Sequence, residues 1–234
     1  HKQKSLPKAF KLTCQTQEEL ETVKSYGGDA ALLSNAVDTD LYSPSSLENS
    51  TTNKTILTVA RLENKQKRTS DLIRALQYLD NSWTLEIAGK GQDLELLQNL
   101  ASELGVAERV RFLGFIQDRK ELIRKLSECG VFALPSANEA VAYAVLEAMS
   151  CGAAVVTTDL KPFRNLVIND KSGIRVPVGE PKALAQGILQ CYENRERYGR
   201  EARQIVVDSY SKKKLFSQLA EIIHSCPTVS YTTS

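Results

Sequence analysis

Two glutamates and a short run of cations are the residues of this sequence whose types and spacing invite chemistry. Glu139 and Glu147 stand with seven residues between them in PSANEAVAYAVLEAMSCG, the first in a polar loop and the second inside a helical pattern. If that helix begins near Val141, Ala142 and Tyr143, its free N–H groups can bind phosphate. A carboxylate beside a phosphate is repelled unless it serves hydroxyl groups, so sugar hydroxyls are the natural partners of both glutamates. The cations are Arg61, Lys65 and Lys67, which follow the apolar run 56–59 and precede the next helical pattern. Positive side chains at a strand end, beside a helix N-terminus, suit a multiply charged anion such as a diphosphate. Taken singly, each of these residues is more simply an ordinary solvated side chain. Gly89-Lys90-Gly91 lets backbone approach a ligand closely, but it lacks the third glycine and the later acidic residue of a dinucleotide fingerprint. A tight strand-to-helix turn is its plainer reading, and NAD is disfavoured.

These residues need elements to bring them together. Short apolar runs predict strands over 56–59, 84–88, 110–113, 131–134 and 154–157, and amphipathic stretches predict helices over 69–79, 92–104, 119–129 and 144–150. Strict alternation with short connections calls for an α/β fold, a Rossmann-like parallel sheet with helices on both faces. Ligands of such sheets bind beyond the carboxyl ends of the strands, so the loops after Val59, Ala88, Leu113, Leu134 and Thr157 are the ones that matter. Helices over 181–193, 195–210 and 213–225 follow. Ahead of the alternation, residues 10–33 read as strand, helix and strand, with Gly27-Gly28 as the helix stop, and residues 43–54 have linker composition. There is no internal repeat.

Composition sets the bounds. The chain has 234 residues, 42% hydrophobic and 25% charged, which is the make-up of a globular protein. A formal charge of +2, from 30 basic and 28 acidic residues, is too balanced to attract nucleic acid. Cys14, Cys129, Cys151, Cys191 and Cys226 form an odd set without a C-x-x-C pair, which speaks against a disulfide framework or zinc site and for a reducing cytoplasm. No apolar run approaches the roughly 18 residues of a membrane helix. The chain begins at His1 without a signal-peptide pattern, so its natural beginning is expected to lie upstream.

PSANEAVAYAVLEAMSCGAAVVTTD resembles the signature of retaining GT-B glycosyltransferases of the family 4 type, the glycosyl transferases group 1: a Glu, seven residues, a second Glu, then Ala-Met, a small residue and Gly. Further likenesses follow in the family's order. SNAVDTDLYSP resembles its hinge, VARL its strand-end Arg, IAGKGQDLELL and RVRFLGFI its middle strands, and KSGIRVPVGEPKALAQGI its late Gly to Pro segment. They span residues 30–210.

The resemblance implies the C-terminal donor-binding half of a GT-B enzyme taking a UDP- or GDP-sugar, with residues 1–43 a remnant of the acceptor domain and hinge, and 44–234 the donor domain including a C-terminal return helix. Arg61 and Lys67 would hold the donor diphosphate, and Lys67 rather than Lys65 keeps the family's spacing to Asp71. Glu139 would contact the transferred sugar, Glu147 the ribose, and main chain at Val141, Ala142 and Tyr143 the distal phosphate or sugar. The base would lie near Phe115 and Ile116, with Gly89 on the nucleotide side. No metal and no cofactor are expected, because the leaving nucleotide would be stabilised by Arg, Lys and a helix end. The acceptor, a glycan or lipid-linked molecule, would be met by the missing N-terminal domain. The whole enzyme would work in polysaccharide biosynthesis, cytoplasmic or peripherally at the membrane, while this fragment alone would bind without turnover. Ala140, Ala142, Ala36 and Arg68 stand where the family often has Gly, and Asn165 where a Glu is usual. These departures keep open a non-catalytic subunit of a split transferase; a sugar-nucleotide epimerase on the same fold is the other alternative.

Overall fold

The computed structural model of the chain describes residues 11–44, 53–140 and 143–225. The chain divides into two compact units, one formed by residues up to Ala36 together with those from Asp208 onward, the other by Val37–Val207. The expected linker at 43–54 lies mostly outside the described residues, as do Val141, Ala142, Phe10 and Cys226.

In the first unit, β1 (Leu12–Cys14) and β2 (Ala30–Leu32) pair in parallel, with Leu12 opposite Ala30. Helix α1 (Gln17–Ser25) connects them and starts in a full capping box, in which Thr16 accepts from the Glu19 N–H and the Glu19 carboxylate reaches back to the Thr16 N–H. Cys14, Leu20 and Ala30 form its small core, with Leu12 and Val23 against them. Helix α10 (Lys212–His224), capped by Ser211, belongs to the same unit.

The second unit carries the sheet. Its strands are β3 (Thr55–Val59), β4 (Thr84–Ala88), β5 (Val110–Gly114), β6 (Val131–Leu134), β7 (Val155–Thr158) and β8 (Gly173–Val176), all parallel and ordered β5-β4-β3-β6-β7-β8. Between them run α2 (Asn64–Lys67), α3 (Thr69–Ala75), α4 (Leu94–Glu103), α5 (Arg119–Glu128), α6 (Tyr143–Ser150) and α7 (Lys161–Arg164), followed by α8 (Pro181–Glu193) and α9 (Arg195–Tyr210). Ile56, Leu85, Ile87, Val131, Ala133 and Val156 pack with Leu72 and Ile73 of α3, Leu97 of α4, and Leu184 and Ile188 of α8. The intervening residues Leu57, Phe132, Leu134 and Val155 are buried too, as are Val145, Leu146 and Met149 of α6, which packs on β6 and β7. Burial on both faces is why these strands read as continuous apolar runs. At about 1.5–3 kcal/mol for each large apolar side chain buried, the sheet is the rigid base on which the loops rest.

The expected α/β, Rossmann-like architecture is therefore present, with differences at the edges. The helix expected over 69–79 tightens into a 3₁₀ turn at Leu76–Tyr78. Arg109, at the end of the 3₁₀ turn Ala107–Arg109, donates to the carbonyls of Leu76 (3.0 Å), Trp83 (2.9 Å) and Asp80 (2.9 Å), tying the end of that helix to the segment that leads into β4. Strand β8 has no counterpart in the sequence reading. Arg109→Ala, which removes these charge-assisted bonds, is expected to lower stability by about 2 kcal/mol in urea denaturation, and Arg109→Lys to restore only part of it because a single ammonium cannot reach several acceptors.

Candidate functional site

Numbered from the first strand of the sheet, the strand order is 3-2-1-4-5-6, so the chain reverses direction across the sheet between β3 and β6. The loops leaving the carboxyl ends of these two neighbours diverge to opposite sides and open a crevice, the place where doubly wound sheets bind ligands. One loop carries Arg61 and Lys67, and the other carries Glu139.

The β3 loop is built against the β4 loop. Ala60 N–H donates to the Ala88 carbonyl at 3.0 Å and Leu62 N–H to the Lys90 carbonyl at 3.0 Å, extending the ladder past both strands. The approach is so close that a Cβ on Gly89 would stand 1.8 Å from the Ala60 oxygen, and one on Gly91 2.4 Å from the Leu62 oxygen. Gly89 also has φ +148, which L side chains rarely adopt. Its nearest neighbours are thus protein backbone, and the G-x-G is a crossing of two loops.

Beyond the crossing, Asn64 N–H is held by Asp93 at 2.6 Å, and α2 ends at Arg68 in the left-handed conformation, φ +51. The Arg68 guanidinium grips buried Asp71 with two bonds of 2.6 and 3.0 Å, so a residue where glycine would be freer is held by an ion pair three residues on. Lys67, immediately before, crosses the reversal point. Its Nζ lies 2.7 Å from Glu139 Oε1, a contact between residues 72 apart in sequence. Ser136 Oγ donates to the same oxygen at 2.6 Å, and Thr158 Oγ1 at the end of β7 fixes Ser136 by donating to its carbonyl at 2.6 Å. Two further bonds join the loops: Ala137 N–H to the Gln66 carbonyl, 2.8 Å, and Gln66 Nε2 to the Asn138 carbonyl, 3.2 Å. Glu139 is only 9% exposed, yet it has a cation and a hydroxyl on one oxygen, as a buried carboxylate requires.

The other expected residues occupy different settings. Arg61 is exposed and pairs with Glu63 at 3.3 Å. Glu147 is half-buried on α6, with Tyr42 nearby. Burial raises the Glu147 carboxyl above its ordinary range, while the Tyr42 phenol and the Arg119 charge oppose the rise. Burial and the Glu147 carboxylate push the Tyr42 phenol up to about 12. Arg119 opens α5 directly after the loop bearing Phe115 and Ile116; Phe115 is exposed and Ile116 half-buried. Tyr143, exposed, begins α6. Val141 and Ala142 lie outside the described residues.

The sequence reading did not single out Ser136, Thr158, Gln66, Tyr42 or Arg119. Of these only Ser136, three residues before Glu139, and Tyr42, inside the hinge motif, carried any signal.

Comparison with known proteins bears on the family and the fold. The family model described as glycosyl transferases group 1 matches residues 43–205. An N-acetylgalactosamine-N,N'-diacetylbacillosaminyl-diphospho-undecaprenol 4-alpha-N-acetylgalactosaminyltransferase of Campylobacter jejuni is 33% identical over 177 residues, 74% of this chain and 47% of that protein. A phosphatidyl-myo-inositol mannosyltransferase of Mycobacterium leprae is 30% identical over 218 residues, 88% of this chain and 56% of that protein. The chain thus spans about half the length of these curated relatives. Among solved structures, Anabaena HepE in complex with UDP superposes with a TM-score of 0.84 at 24% identity, covering 94% of this chain and 65% of that one.

The Lys67–Glu139 pair has a stability consequence. Lys67→Ala leaves a buried carboxylate with Ser136 as its remaining partner, and is expected to cost about 1–3 kcal/mol at pH 7 by urea denaturation. The double variant Lys67→Met with Glu139→Gln, which removes both charges, is expected to recover at least half of that loss.

Proposed function

This chain belongs to the glycosyl transferases group 1 family, and we propose that it is the donor-binding half of a retaining GT-B glycosyltransferase, taking a UDP- or GDP-sugar. The observation that carries the reading is the 2.7 Å approach of Lys67 to Glu139 across the reversal point of the sheet, with Arg61 on the same loop as Lys67. Cation and carboxylate at one point suit a ligand that is anionic on one side and hydroxylated on the other, as a nucleoside diphosphate sugar is.

Lys67 and Arg61 would hold the diphosphate, and an arriving phosphate competes with Glu139 for the Lys67 ammonium. Bond cleavage leaves charge on the diphosphate, and fixed cations held in a partly desolvated crevice stabilise that charge without reorganising; removing one such donor typically costs about 100- to 1,000-fold in rate. Glu139, released toward the sugar, would accept from its hydroxyls and orient the anomeric carbon. Glu147 would accept from the ribose hydroxyls, the loop at Phe115 and Ile116 would lie against the base, and main chain at Val141, Ala142 and Tyr143 would meet the distal phosphate or sugar. Gly89, at the crossing of the β3 and β4 loops, would lie on the nucleotide side. In this reading the leaving group is neutralised by side chains and a helix end, without a metal ion or cofactor.

The relatives' greater length supports the further reading that a preceding domain supplies the acceptor, a glycan or lipid-linked molecule, for polysaccharide biosynthesis in the cytoplasm or at a membrane surface. This chain alone would then bind donor without transferring it.

Calorimetric titration of the chain with UDP, GDP and their sugars is expected to show binding of at least one nucleotide, weakened about tenfold or more by Lys67→Ala or Arg61→Ala in protein shown to be folded. Absence of binding to all of them would remove the reading.

A further inference from the structure

A cavity of about 380 Å³ lies at the other end of the sheet from the crevice. Gly130, directly before β6, and Gly152 to Ala154, directly before β7, border it, so it opens at the amino ends of these strands. One wall is α9, and all of its lining residues belong to the second unit. A Cβ on Gly199 would stand 2.1 Å from the Gly152 carbonyl oxygen, so the bare backbone of α9 lies directly on the loop before β7. Arg195 and Arg203 are four residues to either side of Gly199, about one helical turn each way on the same face, and Arg200 follows it. All three arginines line the cavity.

The protein does not cancel their charge. Arg195 lies over the Tyr192 ring, 4.6 Å from its centre, and donates to the Tyr192 carbonyl at 3.1 Å, while its Nε has no acceptor. Arg203 donates to the carbonyls of Tyr42 (3.3 Å), Thr39 (3.5 Å) and Ser150. Arg200 is exposed. Every acceptor named here is neutral, and among the described residues no carboxylate pairs with any of the three arginines. Glu196, exposed, is the one acidic side chain lining the cavity among the described residues. Cys129, also in the wall, supplies no counter-charge, because burial pushes its thiol up to about 12. The lining is therefore positive by three charges against one.

Uncompensated cations in a concave wall focus a positive potential and draw an anion. A guanidinium carries five N–H donors in a planar fork that matches phosphate oxygens two at a time, and Arg195 has spent one of its five on protein. A phosphate monoester brings close to two negative charges at neutral pH, which balances the excess here. The volume falls in the range of small-molecule sites, about 300–1,000 Å³, and leaves room for an organic group beside the phosphoryl oxygens. We propose that this cavity binds a small phosphate monoester, with Arg195 and Arg200 on its phosphoryl oxygens and the anchored Arg203 adding charge beside them. Strand β6, four residues or roughly 13 Å long, separates this site from the crevice, so the two can be tested apart.

The test titrates the whole chain with glycerol 3-phosphate and with inorganic phosphate at pH 7, recording melting temperatures, and runs Lys67→Ala in parallel to remove the crevice cation. Arg200 is exposed and unpaired among the described residues, so Arg200→Gln is expected to leave the fold intact; Arg195→Gln is the second variant, and the two are then combined. Glycerol 3-phosphate is expected to bind the unaltered chain and Lys67→Ala alike, about tenfold more weakly to each single arginine variant, and not measurably to the double variant. It is also expected to bind more tightly than inorganic phosphate. No binding of glycerol 3-phosphate, binding lost in Lys67→Ala, or binding indifferent to the double arginine variant would overturn the inference. Inorganic phosphate binding as tightly as the ester would overturn the assignment to a monoester.

Discussion

The site depends on one topological event, the reversal of strand order between β3 and β6. Parallel strands joined by right-handed crossovers leave their loops covering the strand ends everywhere except where two neighbouring strands send their connections in opposite directions. At that gap Lys67 and Glu139 meet, and the two loops are tied by the bonds of Gln66 to Ala137 and Asn138. The surrounding hydrogen bonds serve this meeting: Thr158 fixes Ser136, Ser136 fixes Glu139, Asp71 fixes Arg68, and Arg68 ends the turn that presents Lys67.

Electrostatics explains why such a pair is more than a structural bridge. A buried ion pair gains little net stability, because desolvation offsets most of the Coulomb attraction. Its value is that both charges are already stripped of most of their water and held in place before any ligand arrives. In the proposed function, an incoming diphosphate would exchange one anion for another at Lys67, and an incoming sugar would replace the ammonium at Glu139.

How much of this was legible beforehand varied with the physics involved. Strands β3, β4, β6 and β7 are largely buried on both faces and announce themselves as apolar runs, and α4 and α5 show plain amphipathic periodicity. Strand β8, with Arg175 among its four residues, does not, and the four-residue helices α2 and α7 are too short to show a period at all. The chemistry-bearing types, Glu139, Glu147, Arg61 and Lys67, were visible as types, but which of them touch depends on strand order, and a contact across 72 residues leaves no local trace. Gly89 illustrates the converse: its plainer reading, a tight turn, agrees with the backbone, because Ala60 occupies the space beside it. Tyr42 and Thr158 are ordinary residues whose roles come entirely from what they face.

The most direct measurement of the central claim is a crystal structure of the chain with UDP or GDP bound. The account predicts a phosphate oxygen at hydrogen-bond distance, about 3 Å, from Lys67 Nζ in the crevice between the β3 and β6 loops, with the Lys67–Glu139 contact lengthened or broken. A nucleotide bound elsewhere, with Lys67 still on Glu139, would contradict it.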